Sequence, residues 1–256
     1  MVESLSASGV KRYSSCPKKF FLRYIHPREP LEEEDNKYIQ VGNAVHESIE
    51  DTLEETDSRD ADVLLDKFWE NDPEYYEESE RDKVESCFET ASKYVEKHVG
   101  DDIRAIEDRW TMDYDGIELV GYCDVVENGH IIDWKTGKSE GKELKEKIQA
   151  AFYIKLFENE YGEYPEHVDF AYLDDGTRST HERFTDGGEV LWNSHQNKYW
   201  EDTESIINKI LLADNTDEWT PEPERDKCHW CREKLFCEQS GVGSENVKRN
   251  HLTPGP

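Results

Sequence analysis

The sequence predicts an α/β protein, with short strands interleaved with helices and preceded by a helical N-terminal lobe. Three observations carry this reading. Near residue 104 the hydrophobic spacing changes from helical to short runs rich in Ile, Val, Trp and Tyr. Those runs are punctuated by Asp115-Gly116 and Asn128-Gly129, dipeptides that reach the positive φ of a tight hairpin. Helical spacing then returns through Leu144, Ile148, Ala151, Phe152 and Leu156, with two more strand-like runs after it.

Taken in order, 6–24 reads as a helical N-terminus with Ser6 or Ser8 as cap and Val10, Tyr13, Phe20, Phe21 and Tyr24 as apolar contacts. Pro17 opens a second helix directly after Cys16, because a first-turn residue has no use for the N–H that proline lacks. An acidic stretch at 29–36 reads as a solvated loop, 39–55 and 79–99 as helices, and the very acidic 56–78 as a surface helical lobe. Segments 104–113, 117–127 and 130–136 form a meander of strands, 143–161 a helix, 167–173 and 179–184 two further strands, and 188–213 a long helix. The small, polar stretch after Cys237 reads as disordered. The expected organisation is a helical lobe at 1–100, the core at 101–215, a cysteine segment at 216–240 and a tail at 241–256.

The formal net charge of -29 has the wrong sign for a protein that approaches a polyanion. Two readings reconcile it: a high-salt, halophilic cytoplasm, which screens repulsion to roughly 3 Å at 1 M salt, or a basic groove set apart from the acidic excess. Residues 4–28 favour a groove, carrying Lys11, Arg12, Lys18, Lys19, Arg23 and Arg28 without an Asp or Glu. The polar opening lacks the apolar run of a signal peptide, and no segment approaches the roughly 20 apolar residues of a membrane span. The expectation is a cytoplasmic protein with no membrane partner, in which the six cysteines serve as metal ligands or thiols rather than disulfides.

The chemistry concentrates in Gly121-Tyr122-Cys123-Asp124 and, across the Asn128-Gly129 turn, Ile131-Ile132-Asp133-Trp134-Lys135-Thr136-Gly137. Residues two apart on a strand share a face, so Asp133 and Lys135 point the same way. That pairing suits phosphodiester hydrolysis, with Asp124 and Asp133 as oxygen ligands to a hard divalent cation and Lys135 beside the attacking water. An Asp-X-Lys on a strand is by itself commonly a solvent-facing ion pair. His46, in Gly42-Asn43-Ala44-Val45-His46, adds an imidazole, although a lone helical histidine is more often structural. Gln149 and Tyr153 place an amide and a phenol on one helix face at i, i+4. Glu107 is a further candidate carboxylate and equally reads as an exposed strand acid.

Cys228-His229-Trp230-Cys231 followed by Cys237 gives C-x2-C-x5-C, with Cys16-Pro17 far upstream. Four thiolates suit tetrahedral zinc or an iron-sulfur cubane alike. Cys87 and Cys123 lack such spacing, and Cys123 reads as a buried small side chain.

In this order the segments resemble the RecB-type branch of the PD-(D/E)XK nucleases, most nearly the CRISPR-associated and AddB-like iron-sulfur nucleases. Ser6 to Tyr24 looks like the family's N-terminal signature, Gly42 to His46 like its G-x-x-x-H motif, Asp124 like G-x-x-D, Asp133 and Lys135 like D-x-K, and Gln149 to Tyr153 like Q-x-x-x-Y. The resemblance implies a restriction-endonuclease-like mixed sheet core flanked by helices, and a single-stranded DNA exonuclease of repair, recombination or CRISPR adaptation, with protein partners from those processes. It implies Mg²⁺ or Mn²⁺ on His46, Asp124, Asp133 and the Trp134 carbonyl, with Lys135 catalytic and Gln149 and Tyr153 contacting DNA or bracing the site. It further implies a [4Fe-4S] cluster on Cys16, Cys228, Cys231 and Cys237 that staples the N- and C-terminal segments together. The competing expectation is an inactive DNA-binding or assembly subunit with a structural cluster.

Overall fold

Ser6 starts the first helix. Its extended backbone lets Oγ accept the Gly9 N–H at 3.3 Å, so α1 (Ala7–Ser15) begins there, directly after a short strand, β1 (Ser4–Ser6). Cys16, extended at φ -170°, breaks the helix, and Pro17 opens α2 (Pro17–Phe20), which runs on into a π-helical turn, Phe21–Ile25. The expected helical N-terminus therefore also contains a strand, whose three residues are too few to display an alternation. These features come from a computed structural model that describes residues 1–27, 37–55, 60–70, 81–100, 102–138, 143–182, 184–186, 189–191, 194–222, 228–229 and 231–237. The loop expected at 29–36, the 56–59 and 71–78 parts of the surface lobe and the tail after Cys237 lie outside the described residues.

Three helices follow: α3 (Lys37–Glu55), α4 (Ala61–Glu70) and α5 (Arg81–His98). The meander is present as β2 (Ile103–Tyr114), β3 (Ile117–Glu127) and β4 (His130–Lys135), and both turn dipeptides adopt the expected left-handed backbone, with φ 49° and 82° at Asp115 and Gly116 and 45° and 81° at Asn128 and Gly129. After α6 (Glu143–Tyr161) come β5 (His167–Tyr172) and β6 (Thr177–Glu182). A two-stranded sheet of β7 (Phe184–Asp186) and β8 (Glu189–Leu191) precedes α7 (Ser194–Thr216), so the last long helix starts at Ser194 rather than at 188. No helix among the described residues is long and apolar enough to cross a membrane.

The main sheet is mixed, in the order β1-β3-β4-β5-β6, with β2 along the other edge of β3. β1 runs parallel to β3 and β4 parallel to β5, and the remaining pairs are antiparallel. One consequence positions the site. β2 accompanies β3 along nearly its whole length, whereas the opposite edge of β3 is shared: β1 pairs with 118–120 and β4 with 125–127. Residues 121–124 are thus left in a fork between two neighbours.

The sheet carries a core on each face. On one side Trp110, Cys123, Ile131 and Phe170 pack with Phe20, Phe152, Leu156, Phe157 and Ile207, from α2, α6 and α7. On the other, Val125, Ile132, Trp134 and Ala171 pack with Val45, Ile49, Phe68 and Phe88, from α3, α4 and α5. Burying so many large side chains on both faces fixes the strand register, since a one-residue slip would exchange the faces.

Candidate active site

Two glycines let helices approach the fork. A Cβ on Gly121 would sit 2.6 Å from Leu156 Cδ1 on α6, and one on Gly42 would sit 3.0 Å from Thr136 Oγ1 just beyond β4. Gly121 thereby brings α6 against β3, and Gly42 brings α3 to the end of β4. His46, one turn after Gly42, then faces the fork from one side, and Gln149 and Tyr153 face it from the other.

Asp133 is central to the site and only 2% exposed. Its Oδ1 accepts hydrogen bonds from Gln149 Nε2 at 2.6 Å and from Tyr153 Oη at 2.5 Å. Its Oδ2 is buried, takes no well-directed hydrogen bond, and faces the Lys135 ammonium. Burial pushes the Asp133 carboxyl up; Lys135 opposes that and Asp124 adds to it, and the result lies above the usual carboxylate value. Gln149 is itself anchored, since Lys11 Nζ donates to its Oε1 at 2.6 Å and its own Nε2 also donates to Tyr153 Oη at 2.9 Å. Lys11, from the basic N-terminal stretch, therefore reaches the site.

Asp124 stands where β4 turns away from β3. The last pair between the strands on this side is Val125 with Ile132, and beyond it the Trp134 N–H donates to Asp124 Oδ2 at 2.7 Å, a side chain taking the place of a ladder carbonyl. His46 Nδ1 lies 3.4 Å from the same Oδ2. Burial acts to lower the imidazole pKa, but the Asp124 hydrogen bond and the Asp124 and Asp133 charges outweigh it and hold His46 above its ordinary value.

Glu50, which sequence reasoning missed, completes this side. His46, Glu50 and Asp124 each offer a ligand atom within 4.8 Å of the other two, the one such group of three among the described residues. Glu50 is 6% exposed, and burial, then Asp124 and Glu107, push its carboxyl up to about 8. The available signal was its i+4 spacing from His46, obscured by Glu47, Asp51 and Glu54 on the same helix. Glu107 is exposed, with φ 47°, and lies across from Asp124 between the pairs Ile106 with Val125 and Asp108 with Cys123, without forming a ladder pair itself.

The cysteines occupy a different region. Cys16 Sγ accepts the Glu222 N–H at 3.4 Å, and Arg12 Nη1 donates to Glu233 Oε1 at 3.0 Å, which brings the start of the chain against the 3-10 turn Arg232–Phe236 between Cys231 and Cys237. Cys16, Cys228, Cys231 and Cys237 are all half-buried. Burial pushes the Cys231 thiol up to about 11. Cys123, as its strand position suggests, is buried in the core.

A two-faced mixed sheet gathers carboxylates, an imidazole and a lysine at a strand fork, a donor set of the kind that suits a hard cation. The chain belongs to the PD-(D/E)XK nuclease superfamily, whose family model matches residues 4–238. No curated protein matches it. Among solved structures, a "Putative exonuclease" from Eubacterium rectale shares the fold at TM-score 0.57 and 15% identity, over 99% of this chain and 90% of that one. A second, designated SSO0001, aligns at TM-score 0.40 and 14% identity over 94% of this chain and 88% of that one.

Proposed function

We propose that this protein is a Mg²⁺- or Mn²⁺-dependent deoxyribonuclease that degrades single-stranded DNA as an exonuclease. The observation that carries the reading is Asp133: a buried carboxylate braced on one oxygen by Gln149 and Tyr153, with its other oxygen turned to Lys135. The donor set fits a hard cation, because Asp124, Asp133 and Glu50 offer oxygens, His46 offers a ring nitrogen, and Asp133 Oδ2 is a buried acceptor without a well-directed donor. The Trp134 carbonyl, on the residue between Asp133 and Lys135, is a further proposed oxygen ligand. When bound, such an ion supplies Lewis acidity toward water and phosphate. Lys135 holds the attacking water and balances charge at the phosphate. Gln149 and Tyr153 keep the Asp133 carboxylate in one orientation, and Lys11 offers a cation beside them.

Incubating labelled single-stranded DNA with wild type and Asp133→Ala in Mn²⁺ tests this. Wild type shortens the strand, EDTA stops it, and the variant loses at least about a hundred-fold in rate, the scale expected when a group aimed at developing charge is removed. Equal, metal-independent degradation by both would reject the reading.

For the cysteines the proposal is a [4Fe-4S] cluster on Cys16, Cys228, Cys231 and Cys237, supported by the contact between their two chain segments and by a donor set of four thiols. Brown protein with a broad band near roughly 400 nm after anaerobic purification is expected, and colourless protein would point to zinc. Cys231→Ala is expected to lower Tm along with activity, because cluster binding is coupled to folding.

A further inference from the structure

The fork leaves one large side chain in the open. Tyr122 is 57% exposed, more than Tyr24 at 45%. Gly121 faces α6, against Leu156 and Tyr153, and Trp110, its partner across the β2–β3 ladder, is buried against Phe157 of α6. By the alternation of a strand, Tyr122 and its own partner Arg109 lie on the opposite face, the face on which α3 brings His46 and Glu50 to Asp124.

The position of this ring is fixed although the ring itself is open to solvent. The Tyr122 carbonyl belongs to the stretch of β3 edge that neither β1 nor β4 covers, and Tyr153 Oη lies 2.9 Å from it while also bonding Asp133. Tyr153 thus ties the backbone beneath the exposed ring to the carboxylate at the centre of the site. Tyr122 and Asp124 are two residues apart, roughly 7 Å along the strand, a distance that one or two nucleotides bridge. Arg109 stands opposite Tyr122 in the ladder with its side chain 47% exposed, paired with a similarly open Glu118 at 2.7 Å. A surface pair of this kind is weak and gives up its cation readily.

We propose that Tyr122 is a substrate-positioning residue: an unpaired base stacks on its ring and holds the adjoining phosphate at the Asp124–Asp133 centre, with Arg109 taking a neighbouring phosphate. The inference rests on the nuclease reading above and deepens it, since it commits the site to single-stranded DNA. A base within a duplex already has its faces covered, whereas an unpaired base offers a face to an aromatic side chain.

Binding is measured in EDTA, where no turnover occurs, with a single-stranded oligonucleotide carrying 2-aminopurine at its terminal positions. Wild type, Tyr122→Phe and Tyr122→Ala are compared, with Tm as the check on folding. Wild type and Tyr122→Phe quench the 2-aminopurine; Tyr122→Ala loses the quench and binds roughly five- to a hundred-fold more weakly, as one lost stacked base implies. With Mn²⁺ added, the same variant raises KM more than it lowers kcat. Unchanged Kd and quench in Tyr122→Ala, with wild type still cleaving, overturn the inference and leave the nuclease reading standing. A wild type that neither binds nor cleaves overturns both.

Discussion

At the scale of the residue, the site is governed by what its carboxylates do without a cation. Glu50, held up to about 8 by burial and by Asp124 and Glu107, keeps its proton near neutrality. With a raised pKa the folded chain binds more protons than the unfolded one between about pH 4.5 and 8, so metal-free stability falls as pH rises through that window. Glu50→Gln removes the ionisation. Above pH 8 the metal-free variant is expected to exceed wild type by on the order of 1–3 kcal/mol, while Mn²⁺ raises its Tm less. Thermal melts with and without Mn²⁺ check both, and an equal Mn²⁺ shift in the two proteins would exclude Glu50 as a ligand. Individual residues were also where the sequence spoke most clearly. Asp133 and Lys135 on a strand, and Gln149 and Tyr153 on a helix, stand in short motifs whose spacing already places each pair on one face. Glu50 stayed hidden because one acidic side chain among several on a helix is distinguished only by what the fold packs around it.

At the scale of the element, the motif glycines explain themselves through the helices they admit. Gly121→Ala would set a methyl 2.6 Å from Leu156 Cδ1, a contact that forces α6 or its side chain to move. Overpacking of this kind costs about 1–3 kcal/mol. Because α6 carries Gln149 and Tyr153, the variant is expected to lose cleavage by a larger factor than its Tm loss implies, whereas Leu156→Ala on the same background restores part of both. Nuclease rates beside melts of the single and double variants make the comparison. The hairpin strands were legible from turn dipeptides and alternation. β1 was not, because three residues carry no period and its pairing with β3 joins positions more than a hundred residues apart.

At the scale of the whole molecule, the far end of the sheet is tied to the helical layer by a second buried charge. Asp169 on β5 is 1% exposed and lies 3.0 Å from His130 Nε2 and 3.4 Å from Arg178 Nη1, while Tyr94 of α5 donates to it. Burial alone would raise its pKa; hydrogen bonds from His130, Thr180 and Tyr94 prevail and hold it at about 2. A carboxyl lowered in this way contributes fully above about pH 4, and the contribution is lost as pH falls toward 2. Asp169→Asn is expected to cost roughly 2 kcal/mol at pH 7 and to flatten the decline of stability between pH 4 and 2, which acid titration of Tm measures. The succession of helical and strand-like segments could be read from the hydrophobic spacing. This cross-link could not, since it joins α5, β4, β5 and β6 through polar residues scattered along the chain.

β4 meets β3 through three register pairs and β5 through six, from His130 with His167 to Lys135 with Tyr172. The alignment of the reactive strand is therefore set chiefly by a neighbour that lends no acid or base to the chemistry. If β5 slid by one residue and carried β4 with it, Asp133 and Lys135 would exchange places with Ile132 and Trp134, and the cleft would be lined with hydrocarbon. Substitutions that loosen β5 are thus expected to abolish the proposed activity while every proposed site residue remains in the sequence.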